Sequence, residues 1–314
     1  MQDIKKFKDF EGHDRFSMPE GISRVTAGNG GETYLIDCKG KVALYDCGMA
    51  YCHEALIENI FRTLKEWKYN AIDYFLLSHT HYDHIGALPY LLKTFPKALV
   101  VAAPKAVQVF ASEGARKTMK RLGEAAQDRY NAGKKKCEIL VDGLRVDIAA
   151  EDGAELRIGE KTVKVIHSPG HTDCSVCYYI LPDDVMFLSE STGVLRSPGY
   201  LTTAILKNYD QALDSAFKCK AVGARTLIGS HFGHIPEYYN DRYFDLFIEV
   251  AEKEKNLIVT LYNEGKSFDE IFSKYKELNW STARSHVQPY EAFVENANYI
   301  IKHLIYKFGN KKEK

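Results

Sequence analysis

The chain lacks any long apolar run: none of its 314 residues belongs to a stretch near the roughly 18 consecutive apolar residues that a membrane-spanning helix needs. No secretory leader is expected either, since "MQDIKKFKDFEGHDRFSMPEGI" has neither an apolar segment nor a small-residue cleavage site. Charge of one sign is not in excess, with Lys+Arg and Asp+Glu at 42 each. That balance argues against nucleic acid or an anionic membrane as a general partner. Cysteine is present but forms no framework: Cys38, Cys47, Cys52, Cys137, Cys174, Cys177 and Cys219 are odd in number and irregular in spacing. Internal repeats are absent, and the only low-complexity stretch is the terminal "KKEK". A soluble protein of a reducing cytoplasm is the expectation.

What is there is an alternation of short apolar strands and amphipathic helices, which predicts an α/β fold. "ETYLID" and "KVALYDCG" read as strands joined by the tight "CKGK". Leu56, Ile57, Ile60, Phe61, Leu64 and Trp67 recur at helical spacing. "AIDYFLLS" is apolar almost throughout, as a central strand covered on both faces should be. Further strands are expected at 98–103, 161–167, 175–181, 185–189 and 226–230, and helices at 86–94, 207–220 and 237–256. The division expected is a lead-in over 1–19, a main domain over 20–248 and a helical appendage over 249–314. In the appendage "SFDE" has capping-box spacing. Phe293, Ala297, Ile300, Ile301, Leu304 and Phe308 form one apolar stripe that packs on the main domain. An insert at about 105–136 is helical and basic, carrying Arg116, Lys117, Lys120 and Arg121 among nine cations. It reads as a solvated excursion or as a collar that attracts an anionic substrate group.

The stretch "SHTHYDHIGALPY", residues 78–90, ends the apolar run at 71–78 and sets His79, His81, Asp83 and His84 within six positions. Imidazole and carboxylate together suit zinc, iron or manganese, not the all-oxygen shells of calcium or magnesium. Three more candidates stand where a strand gives way to a loop: His171 in "SPGHTDCS", Glu190 in "FLSESTG" and His231 in "LIGSHFGH". Seven ligands are enough for two metal ions. His231 ends its strand more directly than His234 and is preferred. His167 reads as a supporting residue. Cys174 and Cys177 have C-x-x-C spacing within a strand, where the two thiols would face opposite ways.

"HTHYDH", "PGHT", the strand-end acid and the late "SH" together resemble the metallo-β-lactamase superfamily, in the expected order over about residues 20–235. The resemblance implies a four-layer αββα sandwich with the metals at one edge of two facing sheets. It further implies that His79, His81 and His171 hold one ion, that Asp83, His84 and His231 hold the other, and that Glu190 bridges them. Glu190 departs from the family pattern, which has aspartate there. The implied cofactors are two divalent transition-metal ions, zinc first, with iron and manganese as alternatives. The implied activity is hydrolysis by a metal-bound hydroxide, with Asp83 steering the water. The expected substrate is a small thioester, lactone or carboxylic ester. The alternatives are a phosphodiesterase or nuclease and an iron-dependent redox enzyme. The pocket is expected between the 105–136 insert and residues 191–204, with Arg196, Tyr200 and Leu201 as substrate contacts.

Overall fold

In the computed structural model, which describes residues 18–133, 135–197, 200–280, 284 and 288–310, the apolar strand segments assemble into two main sheets. Most of the expected lead-in, with His13, lies outside the described residues, as do Lys134 and His286. The first sheet has the order β1 (Ile22–Arg24), β2 (Tyr34–Asp37), β3 (Val42–Tyr45), β4 (Tyr74–Leu76), β5 (Leu99–Ala102), β6 (Ile148–Ala149). Its first three strands are antiparallel neighbours, and β3 to β6 run parallel. The second sheet has the order β13 (Thr226–Ile228), β10 (Val185–Phe187), β9 (Val176–Leu181), β8 (Lys161–His167), β7 (Glu155–Ile158). Only β10 and β13 are parallel in it. β11 (Val194–Ser197) and β12 (Tyr200–Thr202) pair with each other alone.

The helices are α1 (His53–Glu66), α2 (Tyr82–Ile85), α3 (Leu88–Thr94), α4 (Pro104–Ala111), α5 (Glu113–Tyr130), α6 (Tyr209–Val222), α7 (Glu237–Asn240), α8 (Tyr243–Asn263), α9 (Phe268–Asn279) and α10 (Tyr290–Phe308).

Side-chain alternation along the second sheet creates two cores. On β9, Val176, Tyr178 and Ile180 join the core that runs between the sheets and on to α1 and α3. Cys177 and Tyr179, pointing the other way, join the core beneath α6, α8, α9 and α10. Helix, sheet, sheet, helix is therefore the layer order, and the αββα expectation holds. An aromatic seam closes the inter-sheet space, with the rings of Tyr45 and Phe187 4.8 Å apart. The buried hydroxyls of Tyr45 and Tyr178 donate to the Leu188 and Leu77 carbonyls at 2.8 and 2.9 Å, so neither is left unpaired.

Cys174 and Cys177 fall in different cores, but Cys174 lies in the turn before β9 and only Cys177 is on the strand. The capping box at Ser267 forms, with Glu270 returning the bond to the Ser267 backbone. Phe293, Ala297, Ile300, Ile301 and Leu304 are buried along one face of α10. The boundary expected at 248 falls inside α8, which continues to Asn263. Among the described residues no helix is long and apolar enough to cross a membrane.

Candidate metal centre

Each cluster residue sits just past the end of a strand. β4 stops at Leu76, and the chain passes through buried Leu77, Ser78 and His79 to His81, which caps α2 with Asp83 and His84 inside it. Buried Asp46, just after β3, holds this loop. Its carboxylate accepts from the Ser78 backbone N–H and hydroxyl, both at 2.7 Å, and lies 2.8 Å from His84 Nδ1. His171 follows β8 through a turn at Gly170, whose φ is +137°. A Cβ there would come within 2.6 Å of the Ala212 backbone, so the turn requires glycine. Glu190 opens the short 3₁₀ turn after β10, and His231 follows β13.

These ends meet at one point. His79, His81, His171 and Glu190 form one group, and Asp83, His84, Glu190 and His231 a second, each with ligand atoms within 4.8 Å of one another. Glu190 belongs to both. Its Oε1 lies 3.2 Å from Nε2 of His84 and of His231, 3.5 Å from Nε2 of His171 and 3.6 Å from Nε2 of His79. Asp83 Oδ2 lies 3.6 Å from His84 Nε2 and 3.5 Å from His231 Nε2.

The far ring nitrogens assign the protons. Nδ1 of His84, His171 and His231 face oxygens of Asp46, Ala204 and Gly30 at 2.8, 2.7 and 3.1 Å. Carboxylates and carbonyls cannot donate, so each Nδ1 carries the hydrogen and each Nε2 of a neutral ring is a bare lone pair. Ser78 gives its hydroxyl hydrogen to Asp46 and so accepts from His79 Nδ1 at 2.9 Å, leaving buried His79 Nε2 without a hydrogen-bond partner among the described residues. Nε2 of His84 and His231, 3.2 Å apart and both beside Glu190, are electron-rich atoms facing one another. Only positive charge between them makes that arrangement favourable. The donor set therefore fits a divalent ion of borderline softness.

Proton equilibria in the metal-free cluster say the same. Burial alone would lower His84, but the carboxylates of Asp83 and Asp46 outweigh it and hold the ring well above its ordinary pKa. Burial, then the neighbouring His84, His81 and His171, holds His79 well below its ordinary value. Burial, then His171, pushes His81 down to about 3. Glu190, which burial would raise, is held well below the carboxylate range by His171 and His231.

Above the cluster lies a cavity of about 410 Å³. His81, Asp83, His171, Glu190 and His231 contribute to its lining. α5 supplies Ala115, Thr118, Met119 and Leu122, and α10 supplies Ala292, Asn296 and Tyr299. Two expectations are corrected here, and of the two readings of the basic insert the solvated one fits. The C-terminal α10 is a cavity wall as well as a structural support. Of Arg196, Tyr200 and Leu201, only Arg196 lines the cavity. Leu201 is buried in the second core, and the Tyr200 hydroxyl donates to the Asn279 carbonyl, because the segment pairs as β11 and β12 and does not lie open as a loop. The basic face of α5 does not line the cavity: Lys117 pairs with Glu113, Arg116 donates to the Phe110 carbonyl, and Arg121 ties to Glu295 of α10 at 2.8 Å. The α5 residues that line the cavity are uncharged.

His167 supports the fold, its Nε2 2.8 Å from the Ala150 carbonyl. His53 stacks on Tyr90, and His303 accepts from the Tyr209 backbone N–H. Asp46 is the site residue that sequence reasoning passed over. Its signal is an acid directly after the apolar strand "VALY", in the same strand-end position as the ligands themselves.

Residues 27–231 match the sequence profile of the Metallo-beta-lactamase superfamily. The chain belongs to that superfamily. A relative within it is the metallo-beta-lactamase fold-containing protein ST1585 of Sulfurisphaera tokodaii, 29% identical over 67% of this chain and 77% of that protein. The structure of ST1585, from Sulfolobus tokodaii, superposes with a TM-score of 0.56 at 21% identity, covering 84% of this chain and 98% of that one. The superfamily protein TTHA1429 of Thermus thermophilus superposes with a TM-score of 0.63 at 18% identity, covering 90% and 92%. The atrochrysone carboxyl ACP thioesterase of Aspergillus fumigatus is 22% identical over 82% of this chain and 73% of that enzyme. Membership makes the chain a protein of a metallo-hydrolase fold with a metal-binding site.

Proposed function

We propose that the protein is a cytoplasmic dinuclear-metal hydrolase of small ester-like bonds: thioester, lactone or carboxylic ester. His79, His81, His171 and Glu190 would hold one divalent ion, and Asp83, His84, His231 and Glu190 the second. The observation that carries this reading is the sharing of one Glu190 oxygen by two ligand groups that open into a single cavity. Zinc is the first choice, because imidazole supplies three of the four donors of the first group and two of the four of the second. Ions held there supply Lewis acidity and lower the pKa of a bound water toward neutrality.

The chain's own residues do the rest. Asp83 lines the cavity as well as belonging to the second group, placing a carboxylate where it orients the attacking water and accepts its proton. Asp46 fixes the His84 ring and, through Ser78, the His79 ring, so both ligands are oriented before substrate arrives. Met119, Leu122, Val109 and Leu206 line the cavity with apolar surface that suits an acyl or alkyl chain and excludes water. The likeness to a thioesterase supports the same bond class. A nucleic-acid substrate is not favoured, since Arg116, Lys117 and Arg121 of α5 are engaged away from the cavity.

Metal analysis of protein purified without added metal, with a hydrolysis screen over thioesters, lactones, carboxylic esters and phosphodiesters, tests the reading. About two transition-metal ions per chain and turnover of at least one carbonyl ester class are expected. His81→Ala and His171→Ala should each lower that turnover more than about 100-fold while the protein stays folded. Folded wild type with almost no metal, or turnover confined to phosphodiesters, would reject it.

A further inference from the structure

Among the described residues two cations line the cavity, Arg196 and Lys207, and Arg196 is the less exposed of them. It lies on β11, partly buried, and lines the same cavity as Glu190 and His231. Its Nε donates to Thr202 Oγ1 of the paired strand β12 at 3.1 Å, and its guanidinium carbon sits 5.6 Å from the centre of the Phe232 ring. A neutral hydroxyl and an aromatic face position it, but neither neutralises it. Among the described residues no carboxylate forms an ion pair with Arg196, although Lys117, Lys161, Arg121 and other cations each have one. Burial, and then the neighbouring Arg284, push its pKa down to about 9 against smaller opposing pulls from Tyr200 and Glu190.

A guanidinium taken out of water without a counter-ion is costly, and replacing it by an apolar residue of similar volume would ordinarily be neutral or favourable. Here the fold anchors it at one nitrogen, packs it on an aromatic face and leaves it beside the cavity. The guanidinium fork matches the oxygens of carboxylate or phosphate in a bidentate pair. Met119 and Leu122 line the same cavity.

We infer that Arg196 receives an anionic group of the substrate, a carboxylate or a phosphate, so that the molecule hydrolysed combines an apolar chain with a negative charge beside the labile bond. This rests on the hydrolase reading above and narrows its substrate class. Lys207, exposed at the cavity, adds a second positive charge on the approach.

Calorimetric titration of the zinc-loaded protein with octanoate, octyl phosphate and octanol tests it directly. Coordination of the anions by zinc is common to all variants, so the change between variants isolates Arg196. Wild type should bind at least one anion more tightly than octanol, and in Arg196→Gln the ratio of octanol Kd to that anion's Kd should fall about 10-fold or more. The anion with the larger fall is the group recognised. If Arg196→Gln melts early, Arg196→Lys keeps a cation and most of the packing, and its ratio should still fall about threefold because the fork is lost. Ratios unchanged in the folded variants, or wild type binding octanol as tightly as both anions, would overturn the inference. Failure of the hydrolase reading is separate: it would appear as no turnover of any ester while the binding ratios behaved as stated.

Discussion

Asp46 contacts no cavity atom, yet it decides where His84 and Ser78 point, and through Ser78 where His79 points. Asp46→Ala should therefore weaken zinc binding about 10- to 100-fold, read by competition with a chelating dye, while the ligand set stays complete. Glu190 is tested by charge and length separately. Glu190→Gln removes the negative charge that lets two dications sit close together, and Glu190→Asp keeps it with shorter reach. Metal content should fall in the order wild type, Asp, Gln; two tightly held ions in Glu190→Gln would show that this carboxylate bridges nothing. Acid should also act through this cluster in metal-free protein. His81, at about 3 when folded against about 6.5 unfolded, binds its proton more readily in the unfolded chain, so its contribution to stability is present above pH 6.5 and is lost as pH falls toward 3. His79 acts in the same direction. His84, whose folded pKa is raised, works oppositely: its contribution is full below about 6.5 and fades as pH rises through the raised value. Replacing His81 by Asn should thus flatten the loss of stability of the metal-free protein between pH 6.5 and 3, measured by urea unfolding at fixed salt. The candidate ligands were legible in the sequence because four of them are neighbours in one short motif. Asp46 was not, because the partner that explains it, His84, lies 38 positions away.

At the scale of elements, strands with continuous apolar runs were readable, whereas β6 at two residues and β7, with exposed Glu155 and Arg157, carry too little apolar signal. The β11–β12 pair was hidden by its mixed polarity, which read as loop. The turn before β10 hides an ion pair: Asp183 joins buried Lys161 at 2.5 Å. Asp183→Ala would leave an ammonium buried without its partner and should cost about 3 kcal/mol in denaturant unfolding. A loss under 0.5 kcal/mol would mean that Lys161 escapes to water. The exposed cations of α5 give a contrasting expectation. Lys117→Glu and Lys120→Glu should leave KM for an anionic ester within about twofold at low salt, since neither lines the cavity. A large rise in KM would restore α5 as an electrostatic collar.

Over the whole molecule, two cores share the five-stranded sheet and the ligand loops gather at one end of both sheets. An ion that binds only the folded chain stabilises it by mass action, by about 4 kcal/mol when present at 1,000 times its Kd. Stripping the metal with a chelator should therefore lower the melting temperature by several degrees, and zinc should restore it. An unchanged melting curve would argue against tight binding. Apolar periodicity made an α/β chain legible and the resemblance carried by the histidine motifs supplied the αββα plan, but the pairing of α5 with α10 across the cavity was not legible, since no local pattern announces a contact between Arg121 and Glu295, 174 positions apart. That separation has a consequence for synthesis. All seven proposed ligands have been made once His231 leaves the ribosome, whereas α10 begins at Tyr290. The nascent chain thus acquires the means to take up metal before it has both walls of its substrate cavity, and chemistry is ready ahead of selectivity.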